Sequence, residues 1–191
     1  MTSTRLKEVG LKLFSMKGYE ATSLADIAGE IGIKKPSIYA HFDSKLDLFL
    51  AIVAEVEEDY HACWQKVLKD THDLPADMRL QELFRGVSSH FIQDRVKISF
   101  WVRLCLFPPE ECHDAQHTLT RLSDTYVKEV TAICLQGVSA GLFKPNSPEI
   151  MAHSFFFLLD GYILRSVQYP TFNSLQGFTQ VWQTFFQGIQ K

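Results

Sequence analysis

Lys34, Lys35, Ser37, Tyr39 and His41 lie within a single turn-rich stretch and offer ammonium, hydroxyl and imidazole donors. Groups of these types suit the base edges and phosphates of a nucleic acid, a lysine acting as a flexible point donor to guanine O6 or N7. They need a scaffold, and the run from Thr22 to Lys45 (TSLADIAGEIGIKKPSIYAHFDSK) supplies one. Ser23 with Asp26 three residues on is an acidic variant of the capping box that opens a helix. Leu24, Ile27, Ala28 and Ile31 then recur at helical spacing, and Gly32 can stop the helix in a left-handed conformation that costs little without a β-carbon. Ile33 plugs the turn. A second helix is expected from Lys34 to Pro36 onward, because a proline in the first turn lacks only an N–H that had no intrahelical partner. Ile38 and Phe42 face inward, which leaves the donors outside. In such a helix-turn-helix the second helix enters the major groove with its N-terminal residues toward the bases, so Lys34 and Lys35 are the candidate readers.

Residues 5 to 50 resemble the N-terminal DNA-binding domain of the tetracycline-repressor (TetR) family of bacterial transcription regulators. The likeness runs through Leu6, Val9, Leu13 and Phe14, the close at Lys17-Gly18-Tyr19, the pairs Ile38-Tyr39 and His41-Phe42, and Ser44-Lys45 with Leu46 and Leu48. It implies that Ser23, Tyr39, His41 and Lys45 sit where the family contacts phosphates. With Lys34, Lys35, Pro36 and Ser37 they make up the candidate DNA-binding set. Lys34 departs from the family pattern, in which a serine commonly caps the helix. The resemblance further implies a homodimer on a roughly palindromic DNA operator, a small-molecule effector bound in the C-terminal region, and repression relieved by that effector.

The 191 residues are 46% hydrophobic, enough for one large domain or two small ones. No apolar run approaches the ~18 residues that span a bilayer, and the N-terminus lacks a signal-peptide stretch, so a cytoplasmic protein that makes no use of a membrane is expected. The net charge of −3 argues at first against nucleic acid. Residues 1 to 50, however, hold seven Lys/Arg against six Asp/Glu, a local +1 that leaves −4 for the remainder. Binding must then rely on a few well-placed cations and on two protomers acting together.

Gly and Pro are sparse and fall at joints, which predicts an all-α fold. The expected division is a helix-turn-helix DNA-binding domain at 1–48 and a ligand-binding and dimerisation domain at 49–191. Ser44 caps a long helix with Leu48, Phe49, Ile52, Val56, Tyr60 and Trp64 along one face. Further helices are expected at Leu80 to Gln93, Val96 to Phe107, Thr118 to Ala140, Glu149 to Gln168 and Ser174 to Ile189. Trp64, Phe91, Trp101, Tyr126 and Phe157 are candidate walls of a pocket for a hydrophobic or aromatic effector, with His90, His153 and Asp160 as polar markers. The last two helices carry more apolar surface than one face of each needs, which suits burial against a second copy.

Three other constellations name rival classes. Gly137-Val138-Ser139-Ala140-Gly141 fits the G-x-S-x-G elbow of serine hydrolases, but it lies at the end of a helix-period segment where that motif needs a strand, so no enzyme is expected. Glu110, Glu111, Cys112, His113, Asp114 and His117 concentrate metal-capable groups in one loop without a standard zinc spacing. Cys63, Cys105, Cys112 and Cys134 include no C-x-x-C pair, although Cys105 and Cys112 could form a redox couple. No metal or other cofactor is expected. A ligand-independent DNA binder and a redox- or metal-sensing regulator are the alternatives to the effector-controlled one.

Overall fold

In a computed structural model the described residues are 3–169 and 175–191, and they fold as eight α-helices with two 3₁₀ turns. The chain divides into two compact units, Met1–Asp59 with Asp94–Thr118, and Tyr60–Gln93 with Leu119–Lys191.

In the first unit α1 (Ser3–Lys17) buries Leu6, Val9, Leu13 and Phe14, the stripe that a 3.6-residue period places on one face. It stops at Gly18, whose φ of +84° is accessible without a β-carbon and whose N–H returns to the Phe14 carbonyl. Helix α2 (Leu24–Ile31) opens with the expected capping box: Ser23 Oγ accepts from Asp26 N at 3.1 Å, and Asp26 Oδ2 accepts from Ser23 N at 2.8 Å. Those bonds hold the Asp26 carboxyl below the usual carboxylate range. Gly32, at φ +80°, ends the helix, and Ile33 is only half-buried.

The second helix of the motif departs from the sequence expectation. Only Lys35–Ser37 is helical, and as a 3₁₀ turn, followed by turns through His41 that close on the Ile38 carbonyl. One physical contribution is at the cap: Lys34 has extended backbone but no acceptor to offer the first-turn N–H groups, so the segment starts without a side-chain cap. Ile38 (fully buried) and Phe42 still anchor the segment.

Helix α3 (Lys45–Asp70) begins where Ser44 Oγ accepts from Asp47 N at 3.0 Å, and Leu48, Phe49, Ile52 and Val56 are buried as the spacing predicts. After α4 (Ala76–Gln93), Asp94 caps α5 (Arg95–Leu106) by accepting from Val96 N and Lys97 N. A 3₁₀ turn at Glu110–Cys112 leads into α6 (His113–Ser139), which starts earlier than the expected Thr118. Helices α7 (Pro148–Gln168) and α8 (Leu175–Ile189) complete the chain; the expected start of the last helix at Ser174 lies outside the described residues.

The second unit is an aromatic core. Phe84 of α4 meets Phe155 and Tyr162 of α7 and Phe178 and Trp182 of α8, with ring centroids 5.0 to 6.4 Å apart. Elsewhere in this unit a backbone bridge joins Phe143 to Gln190. Gly137 is required there, since a β-carbon on it would stand 2.2 Å from the Phe143 ring.

Candidate nucleic-acid interface

Charge pairing sorts the cations of residues 1 to 50. Arg5 pairs with Glu8, Lys7 with Glu55, Lys12 with Glu30 at 2.9 Å, and Lys17 with Asp26 at 4.0 Å. Among the described residues, Lys34, Lys35 and Lys45 make no ion pair. An exposed ammonium with no carboxylate partner is the one that can neutralise an added phosphate without first giving up an internal contact. The weak local excess of positive charge is therefore concentrated at three positions of the motif.

Lys34, Lys35, Pro36, Ser37, Tyr39 and His41 are all exposed, on the short segment that follows α2 and is pinned by the buried Ile38 and Phe42. The Lys35 ammonium lies 6.0 Å from the Tyr39 ring centroid, a loose cation–π approach that keeps both on one side. Ser23 is exposed too, but its hydroxyl already donates to Asp26 Oδ2 at 2.6 Å and accepts from Asp26 N. Its structural duty at the cap thus competes with a phosphate contact. Lys45 is exposed along part of its length, with Nζ donating to the Tyr19 carbonyl at 2.9 Å and lying 3.9 Å from the Tyr19 ring centroid. An ammonium has three N–H donors, so two stay available. The sequence marks Tyr19 only as the aromatic after the α1 stop; its hold on Lys45 depends on a contact across 26 positions that no local pattern signals.

Four of the five candidate pocket residues, Trp64, Phe91, Tyr126 and Phe157, belong to the second unit. Trp64 and Tyr126 touch at 4.7 Å, and Tyr60, not among the candidates, joins Tyr126 at 5.4 Å and Phe91 at 5.1 Å. Phe156 stacks on Trp64 at 5.7 Å, while Trp64 Nε1 donates to Glu129 at 2.7 Å. Phe157, by contrast, is 75% exposed: one residue past Phe155 and Phe156 on α7, it is carried about 100° further around the helix and out to solvent. Trp101 belongs to the first unit. That unit has a cleft of about 730 Å³, lined by Phe14, Phe49, Phe100, Arg103 and Phe107 among others and by none of the five candidates.

The rival constellations are placed as follows. Ser139 is the last residue of α6, with no strand leading into it, and Gly141 at φ +71° closes the helix. In the 110–117 stretch the side chains of His113, Asp114 and His117 lie outside the described residues; among the described residues no group of three His, Cys, Asp or Glu could hold a metal ion. All four cysteines are thiols. Cys134 is fully buried and burial pushes its thiol up to about 12, whereas Cys105 is exposed. Iodoacetamide at about pH 8 is therefore expected to alkylate Cys105 roughly ten times faster than Cys134 or more, as read by mass spectrometry of timed digests; equal rates would show that the second unit opens readily. No described helix is long and apolar enough to cross a membrane.

Comparison with known proteins fits this geometry. Residues 7–52 match the family model for bacterial regulatory proteins of the tetR family. The biofilm operon icaADBC HTH-type negative transcriptional regulator IcaR of Staphylococcus epidermidis is 30% identical over 121 residues, which spans 63% of this chain and 62% of that regulator. Among solved structures, the TetR family transcriptional regulator PfmR of Thermus thermophilus superposes with a TM-score of 0.74 at 21% identity, covering 98% of this chain and 94% of that one. AibR, solved in complex with isovaleryl coenzyme A and operator DNA, gives 0.73 at 18% identity, covering 98% and 97%. Residues 7–52, which hold the capped α2, the Gly32 turn and the donor-bearing segment after it, are thus similar to the DNA-binding part of the tetR-family regulators, and the chain shares the all-helical fold of these solved structures.

Proposed function

We propose that this chain is a cytoplasmic transcriptional repressor that binds a palindromic operator as a homodimer and releases it when a small apolar or aromatic molecule binds its C-terminal region. In this reading residues 1–48 form the DNA-binding domain and 49–191 the ligand-binding and dimerisation domain, with no catalytic role. The observation that carries it is the pairing pattern: of seven cations in the first fifty residues, the three without a carboxylate partner among the described residues are Lys34, Lys35 and Lys45. Lys34 and Lys35 reach base edges from the start of the 3₁₀ turn, and Ser23, Tyr39, His41 and Lys45 place the head on phosphates. A bound effector lowers operator affinity only by its differential affinity for the two arrangements of the heads, with α3 as the lever. That AibR was solved with both an acyl coenzyme A and operator DNA supports an effector for this fold without naming the one used here.

The α7 face bearing Ile150 (64% exposed), His153 and Phe157 (75% exposed) is the surface proposed to meet a second copy. Phe157→Glu is expected to shift the protein from dimer to monomer in analytical ultracentrifugation and to weaken operator binding roughly tenfold or more. A dimer that survives the substitution would move the interface elsewhere.

Fluorescence anisotropy with DNA from upstream of the protein's own gene tests the whole reading, at two salt concentrations and against scrambled competitor. Saturable, competitor-resistant binding at two protomers per site supports it. Equal displacement by scrambled DNA would favour a ligand-independent, sequence-tolerant binder, and no binding by folded protein at low salt would overturn the assignment.

A further inference from the structure

The last carbonyls of an α-helix have no partner within the helix, and the partial negative charge they carry draws cations. At the end of α1 two of them, those of Ser15 and Met16, accept from one side chain 87 to 88 positions away: Arg103 Nε donates to Ser15 O at 2.9 Å and Nη2 to Met16 O at 3.1 Å. Arginine suits this role because its planar fork can donate to two adjacent acceptors at once, which an ammonium on a flexible stem does poorly.

What Arg103 fixes is the end of α1 that leads into Gly18 and Tyr19. The Tyr19 ring packs against Phe14 at 5.9 Å and Phe49 at 4.9 Å, and its carbonyl and ring face both hold the Lys45 ammonium. Glu111, in the 3₁₀ turn after α5, lies beside the Tyr19 hydroxyl; burial first, and then this carboxylate, raise the phenol well above its ordinary range. The end of α1 is therefore held by Arg103 of α5, and the Tyr19 turn that follows it meets Glu111 of the next 3₁₀ turn and holds a lysine of the DNA-binding set. Each link is a hydrogen bond or a ring contact within the first compact unit.

We propose that Arg103 is a positioning residue for DNA binding, which orders the α1 terminus and the Tyr19 turn from α5 and so holds Lys45 where it meets a phosphate. Nothing in the helix-turn-helix itself reveals this residue, since it is supplied by a helix outside the motif. The role rests on the DNA-binding reading above.

The test uses the full chain with Arg103→Ala and, as the conservative variant, Arg103→Lys. Arg103 is exposed, and its removal is not expected to empty any part of the core. Hydrogen–deuterium exchange without DNA is expected to accelerate roughly fivefold or more at amides 15–22 in Arg103→Ala, with α4 and α7 unchanged. Operator affinity is expected to fall about tenfold and to recover in part with lysine. In a Lys45→Ala background, adding Arg103→Ala is expected to cost less than about twofold, because the residue through which it acts is gone.

Unchanged exchange at 15–22 would overturn the proposal. So would a tenfold loss that persists in the Lys45→Ala background, which would make Arg103 a general support of the fold. Wild-type protein that binds no duplex would sink the DNA reading and this role with it, and the exchange result would still show separately whether Arg103 orders the turn.

Discussion

Replacing both Lys34 and Lys35 by alanine is expected to weaken operator binding by about a hundredfold or more while leaving the fold intact. Both side chains are exposed and neither has an ion-pair partner among the described residues, so their removal breaks no salt bridge within the chain. A well-made base contact contributes about 1–3 kcal/mol of discrimination, and a dimer carries two copies of each lysine. Four lost contacts, even at the low end of that range, exceed the roughly 2.7 kcal/mol that corresponds to a hundredfold change. Titrations against operator and scrambled duplex at several salt concentrations divide the loss. A fall confined to the operator marks the lysines as base readers; an equal fall on both, with a shallower dependence on salt, marks them as phosphate contacts. Lys12→Ala is the control, since Lys12 is already paired with Glu30 at 2.9 Å, and it is expected to change affinity less than about threefold. Comparable losses from all three lysines would show that general charge, not placement, drives binding.

The largest effect on stability is expected from Phe84→Ala. Its ring is fully buried and meets four other rings contributed by α7 and α8, so no single neighbour can relax into the space it leaves. Truncation of a buried phenylalanine costs about 3–5 kcal/mol, the sum of lost transfer free energy and an unfilled cavity. Against a typical total of about 5–15 kcal/mol, that is enough to lower the urea midpoint substantially without a change in the slope of the transition. A loss below about 1 kcal/mol would mean that the second unit repacks readily, and the aromatic cluster would then be a poor candidate for a rigid effector site.

The residues that most affect stability and those proposed to bind DNA are legible in the sequence to different degrees. Ser23, Asp26 and Gly32 declare the ends of α2 because caps and left-handed turns depend on one or two side chains acting on nearby backbone. The buried stripe of α1 and the inward faces of Ile38 and Phe42 follow from periodicity for the same local reason. The second helix of the motif is shorter than its pattern predicts, and Lys34, which brings no acceptor to the cap, contributes to this. Phe157 shows the limit of composition as a guide, since three consecutive phenylalanines on a helix cannot all face the same way.

The sequence by itself determined the helical class, the capped turn of the motif and the exposed donors after it, because each depends on residues no more than a few positions apart. Tertiary structure decided which charges are already spent within the chain, which aromatic rings gather around Trp64 and Tyr126, and that Arg103 reaches back to the end of α1. These depend on contacts across 18 to 88 positions. They are made only after helices have packed, when each side chain meets partners that neither its own type nor its neighbours in the chain specify.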